Sequence, residues 1–190
     1  MSENIESPKL LVFILIMLTG FIAVVVFRII YSVPIEFNDE SVFKWELARQ
    51  FLISADLRLS SGDHHNLRWA VILPQTPMAV AFPGKWFSYY ITPIAFWSLF
   101  AIACLGFFRK EHHSFSLGLL FLVVIAVEPL DHAMASQVNS GAFGLLYVAC
   151  GIYALLAYDR TTKWTYLLLA SLAFFFAYGA HLTYAVFFGA

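Results

Sequence analysis

The stretch "LLVFILIMLTGFIAVVVFRIIYSVPIEFNDESVFKWELARQFL", residues 10–52, decides the fold. Its first half, Leu10 to Tyr31, is an apolar run carrying a single charge, Arg28. A helix needs roughly 20 such residues to cross about 30 Å of hydrocarbon, so this run reads as a membrane span. Arg28 stands near the end, where a long cation can snorkel toward water. The run is too long for a signal peptide and lacks the basic start and small-residue cleavage site. The second half turns polar. Asp39 and Glu40 stand side by side, and Phe43, Leu47, Ala48, Phe51, Leu52 and Ala55 then recur at helical spacing, opposed by Glu46, Arg49 and Gln50. That pattern predicts an amphipathic helix lying at the membrane interface, with Trp45 at headgroup level and Asn38 or Ser41 as its cap.

The rest of the chain agrees with a membrane setting. Of 190 residues, 61% are hydrophobic, 18% aromatic and only 12% charged, and mean hydropathy is +0.78. A soluble domain carries about twice that charge. The net charge is −1 without a basic patch, which speaks against nucleic acid as a partner. Cys104 and Cys150 lie inside apolar runs and read as packing residues.

Further spans are expected at 89–108, 114–128, 141–158 and 164–188, beside the first at 10–31. The expected fold class is therefore all-α: about five spans in a single transmembrane domain covering 1–190, with a long loop, 32–87, carrying interfacial helices. The chain stops on the apolar "YAVFFGA", which reads as the amino-terminal part of a larger protein. The short loops "RKEHH" (109–113) and "DRTTK" (159–163) each hold two Lys or Arg. The positive-inside rule assigns them to the cytoplasm, which leaves the 32–87 loop and the 128–140 connection outside.

Two polar stretches of that loop carry the candidate chemistry. Asp39 and Glu40 fit helix-end electrostatics, since carboxylates are favoured near the positive end of a helix dipole. They equally fit an active site, and one cap explains a single acid better than two. In "SGDHHNLRWAVILPQTP" (61–77), Asp63, His64, His65, Asn66 and Arg68 fall within six positions. Asp-His-His invites a metal reading, but neighbouring side chains point apart and no matching ligand pair lies nearby, so no metal ligand is assigned. An anion site built on Arg68 and the imidazoles fits better, because guanidinium offers a planar fork to phosphate. The plain alternative is a solvated loop with an Asp63–Arg68 salt bridge. Glu128 and Asp131, flanking Pro129, are boundary acids that helix-end solvation also explains.

The order of span, acidic pair, "ELARQFL", "DHHNLRWAVILP" and span resembles the amino-terminal module of GT-C class membrane glycosyltransferases. The branch is that of aminoarabinose transferase and protein mannosyltransferase-like enzymes (glycosyltransferase family 39-like). "PLDHAMASQVNSGAFGLLYVACGIYALLAY" and "WTYLLLASLAFFFAYGAHLTYAVFF" are similar to later segments of that family. The resemblance implies transfer of a sugar from a polyprenyl-phosphate donor to a hydroxyl of a lipid, glycan or protein acceptor, at the outer face of a bacterial inner membrane. It implies Asp39 as the base, with Glu40 beside it. Arg68, with His64 or His65, would stabilise the departing phosphate, and Asp63 belongs to the same binding cluster. Asn139 stands where many relatives carry a carboxylate, and His181 where several carry Lys. Both join the implied substrate-binding set as hydrogen-bonding and titratable substitutes. No cofactor is expected for certain, and a divalent cation is the one left open. Membrane lipid is the remaining expected partner. The rival expectations are a fragment of a polytopic transporter, using Arg28, Glu128 and His181 along a pathway, and a non-catalytic membrane scaffold subunit.

Overall fold

The computed structural model describes residues 7–31, 39–54, 68–111, 115–127, 138 and 140–181. They form α1 (Ser7–Ile30), α2 (Asp39–Ser54), α3 (Trp69–Ala81), α4 (Trp86–Glu111), α5 (Phe115–Val127), α6 (Ser140–Thr161) and α7 (Trp164–Ala180). No strand occurs among the described residues. Within α4 and α6, Trp86–Phe108 and Gly141–Thr161 are long and apolar enough to cross a membrane. Ile14–Ile30, Trp69–Ala81 and Trp164–Ala180 are shorter apolar helices.

Ring pairs give the helix directions. Phe96 of α4 meets Phe143 and Tyr147 of α6, and Phe107 meets Tyr153, so α4 and α6 run parallel. Tyr147 meets Phe176, and Ala154 packs with Ala170 and Phe174, so α6 and α7 run antiparallel. These two helices make the most extensive helix pair in the bundle, joined by only Thr162 and Lys163. α1 lies against α4 and α5 through Val24, Trp97, Ala101 and Phe121.

α3 is a helix inside a stretch expected to be loop, and it contains Pro74 and Pro77. Proline removes an N–H, so the carbonyl one turn earlier loses its helical donor. For Pro74 that carbonyl belongs to Ala70, and the Tyr147 hydroxyl of α6 donates to it at 2.9 Å. A tertiary bond thus replaces the missing helical one, which is why this proline-bearing segment stays helical in the bundle. At its far end Gly84 adopts φ +72, a left-handed conformation costly for side chains with a Cβ, and turns the chain into α4. Gln75 then ties α3 to the start of α4, its Nε2 donating to the Ser88 carbonyl at 2.6 Å.

α2 appears where helical spacing predicts it, but starts at Asp39, which puts both acids in its first turn. Its inward face differs from the expected one. Phe43 is exposed while Lys44 is fully buried, and Ala48, one turn on, packs with Ile72 and Ala79 of α3. Trp45 is packed against Tyr89, with 6.4 Å between ring centroids. The cause is α3, which lies along α2 and decides which face is inside. Arg28 departs from expectation in the same direction. It does not snorkel; it is fully buried, its guanidinium 3.9 Å over the Trp97 ring.

Candidate functional site

One apolar core gathers residues from five separate parts of the chain. Ala70 and Val71 of α3, Tyr89, Tyr90 and Ile94 of α4, Val138, Phe143 of α6 and Ala180 of α7 are all buried together. Val42 and Trp45 of α2 pack against the same cluster. Candidate residues lie beside the buried ones in α2, in α3, next to Val138 and at the end of α7, but not in α4 or α6. Asp39 and Glu40 open α2, one turn before Val42 and Lys44. Arg68 is the cap residue of α3, accepting from Val71 and Ile72 N–H at 2.9 and 3.2 Å through its backbone carbonyl. Asn139 follows Val138 in the chain, and His181 follows Ala180.

Trp69 makes the tightest junction at this end. Its indole packs against Phe175 and Phe176, at 5.1 and 5.0 Å between ring centroids. A Cβ on Gly179 would lie 2.4 Å from the Trp69 ring, so only glycine lets the indole lie this close to α7. The residues just outside this junction are Arg68 and His181, both half-buried. His181 has extended backbone, φ −160 and ψ 135, and its N–H caps α7 by donating to the Ala177 carbonyl at 3.1 Å. Two candidates far apart in sequence are therefore brought to one place.

Depth follows from the same core. Tyr90 and Ile94 lie four and eight residues inside α4, or roughly 6–12 Å from its start at 1.5 Å per residue. The Arg68 end is consequently recessed below the α3–α4 hairpin. Arg28 is deeper still, at the level of Trp97.

Electrostatically the region is unusual for an apolar bundle. Lys44 and Arg28 are both fully buried, and buried cations persist only where other groups compensate them. Stacking on Trp97 supplies part of that compensation for Arg28. Glu40 stands one helical turn before Lys44, a spacing that puts the two positions on one face of α2. Two further buried polar atoms, Trp45 Nε1 and Gln75 Oε1, have no hydrogen-bond partner among the described residues. Glu46, by contrast, is engaged locally, accepting from Arg49 at 2.6 Å and Gln50 at 3.1 Å.

Asp63, His64, His65 and Asn139 lie outside the described residues, as do Glu128 and Asp131. The side chains of Asp39 and Glu40 do too, although their backbone belongs to α2. Among the described residues, no group of three His, Cys, Asp or Glu is arranged to hold a metal ion. Lys44, Trp69, Tyr147 and Gly179 carry no role in the sequence reading. The signals for them were faint: a lysine one turn after an acidic pair, a proline that strands a carbonyl, and a glycine in an aromatic helix.

Comparison with protein-family models, with curated proteins and with solved structures finds no match to this chain. What fold and site define is an all-helical protein with, among the described residues, two helices of membrane-spanning length. Among the described residues, Arg68 and His181 adjoin one buried core.

Proposed function

We propose that this chain is a membrane glycosyltransferase module of GT-C type, with about five spans and with the Arg68 end facing outward from a bacterial inner membrane. Its donor is a sugar on polyprenyl phosphate, and its acceptor is a hydroxyl of a lipid, glycan or protein. The observation that carries this reading is the common core under α2, α3, Val138 and α7. Residues from four scattered stretches adjoin it, two of them singled out for their chemistry (Asp39 with Glu40, and Arg68) and two through the resemblance (around Val138 and His181).

The reaction is a single displacement. The acceptor oxygen attacks the anomeric carbon, Asp39 takes the proton of that hydroxyl, and the bond between the anomeric carbon and the phosphate oxygen breaks. The lipid phosphate leaves with the bonding electron pair. Arg68 and His181, with His64 or His65, stabilise the charge that grows on it. Glu40 and Asp63 shape the field around the base, and Asn139 hydrogen-bonds the sugar.

The test is Asp39→Asn. Asparagine caps a helix about as well as aspartate, so folding and membrane insertion should stay near normal. Transfer from a synthetic polyprenyl-phosphate sugar should fall by roughly 10²–10⁴-fold if the base is lost. Unchanged turnover per folded protein removes Asp39 from the reaction.

A further inference from the structure

We propose that Trp69 is a positioning residue: pinned on Gly179, beside an Ala70 carbonyl that Tyr147 holds, it fixes Arg68 and His181 in one geometry, so that they act on an anion as a unit. The inference rests on the reading above for what that unit binds, but its geometric part stands on the bundle alone.

Three independent contacts lock the start of α3 to its neighbours. The indole of Trp69 occupies the space a Cβ at Gly179 would fill, 2.4 Å from the ring. Phe175 and Phe176, themselves in ring contact, pack against it at 5.1 and 5.0 Å. One residue on, the Ala70 carbonyl, freed by Pro74, accepts from Tyr147 at 2.9 Å. Ala70 is also fully buried in the same cluster as Ala180. Arg68 precedes these residues directly and His181 follows them directly, so neither backbone can shift without breaking one of the contacts. Arg68 and His181 themselves are half-buried, leaving part of each side chain reachable. A guanidinium and an imidazole presented together suit a phosphate better than either alone, provided their separation is fixed before binding.

Geometry and binding are tested separately in lipid nanodiscs. With Cys104→Ala and Cys150→Ala, spin labels at Arg68→Cys and His181→Cys should report one narrow distance band. Adding Trp69→Ala should broaden it, and Gly179→Ala, which attacks the contact from the other helix, should do the same. Trp69→Phe keeps an aromatic in place and should restore the narrow band. In the unlabelled protein, Trp69→Ala and Gly179→Ala should weaken binding of a short-chain prenyl phosphate on the order of tenfold or more, as misplaced binding groups do, and Trp69→Phe should not. Arg68→Ala and His181→Ala should be coupled in the wild type and additive in the Trp69→Ala protein. A distance band unmoved by either Trp69→Ala or Gly179→Ala overturns the clamp. A band that broadens in a protein whose wild type ignores prenyl phosphate upholds the clamp and refutes the phosphate reading instead.

Discussion

The two ends of the bundle are held by different kinds of contact. At the Lys163 end the contacts described are local. The Thr162 N–H donates to the Tyr158 carbonyl at 2.7 Å, the Thr161 hydroxyl to the Ala157 carbonyl at 2.7 Å, and the Tyr158 and Trp164 rings sit 6.3 Å apart. At the Arg68 end the partners are remote. The Tyr147–Ala70 bond spans 77 positions, and Trp69 rests on a glycine at the far end of α7. A local turn closes as soon as its helices form, whereas the Arg68 end exists only once the bundle has packed. The candidate chemistry sits at the end that depends on tertiary structure. Its residues should respond to distant substitutions, and those of the Lys163 end should not.

The sharpest version of that contrast compares two lysines. Lys44 is fully buried in α2, and Lys163 is exposed in the α6–α7 turn. A buried ammonium is kept by compensating groups, and deleting one partner of such a set strands the other. Lys44→Ala should therefore cost about 3–5 kcal/mol in reversible unfolding by denaturing detergent. Lys163→Ala should leave the transition where it is. Equal effects of the two substitutions would end the distinction between the ends.

The next test concerns the stranded carbonyl. Tyr147→Phe removes only a hydroxyl, but it leaves the Ala70 carbonyl without the donor that replaces Pro74. Losing a buried partner costs about 1–3 kcal/mol. Adding Pro74→Ala supplies a backbone N–H one turn away, so the double variant should recover much of the loss. Thr161→Ala removes a hydroxyl bond of similar length at the other end, but from an exposed carbonyl that water can serve. It should be near neutral. Additive losses in the Tyr147→Phe, Pro74→Ala pair would show that the hydroxyl and the proline act separately.

What was legible in the sequence divides along the same line. The apolar runs announced α1, α4, α5 and α6 within a few residues and the start of α7, which ends at Ala180 with His181 extended rather than running to 188, and the polar "DRTTK" announced the turn between α6 and α7. Helical spacing announced α2, because periodicity is a property of one segment. The inward face of α2 was not legible. Lys44 lies inside and Phe43 outside because α3 covers that side, and no pattern within α2 encodes α3. α3 itself was hidden by Pro74 and Pro77, whose local message is loop and whose remedy is a tyrosine on another helix. Arg28 read as a snorkelling cation for the same reason, since Trp97 belongs to α4. At the site, residue chemistry picked out Arg68, and the family resemblance pointed to His181. Their common location came only with Trp69, Gly179 and the shared core.

The smallest expected effect falls at the Lys163 end. Thr162 sits at φ 54, where the branched Cβ crowds the backbone, a conformation that costs a side chain roughly 1–2 kcal/mol over glycine. Its hydroxyl bonds the adjacent Thr161 carbonyl at 2.8 Å, an exposed contact that water replaces readily. Glycine keeps the N–H that caps α6 on Tyr158 and sheds the strain, against a loss of roughly 0.5–1 kcal/mol through its freer unfolded chain. Thr162→Gly should therefore stabilise the protein slightly, by up to about 1 kcal/mol. Gly84→Ala is its mirror in the α3–α4 turn. At φ 72, with nothing within 4 Å of the added methyl, it should lose about 1 kcal/mol for conformational reasons alone. The diagnostic reading is at the opposite end of the bundle. The distance band between positions 68 and 181, and the affinity for prenyl phosphate, should not move in Thr162→Gly, because no contact of the Trp69 junction passes through that turn. A Thr162→Gly protein that gained stability yet loosened the Arg68–His181 geometry would mean that α7 transmits its register from one end to the other, and the two ends would have to be treated as one device.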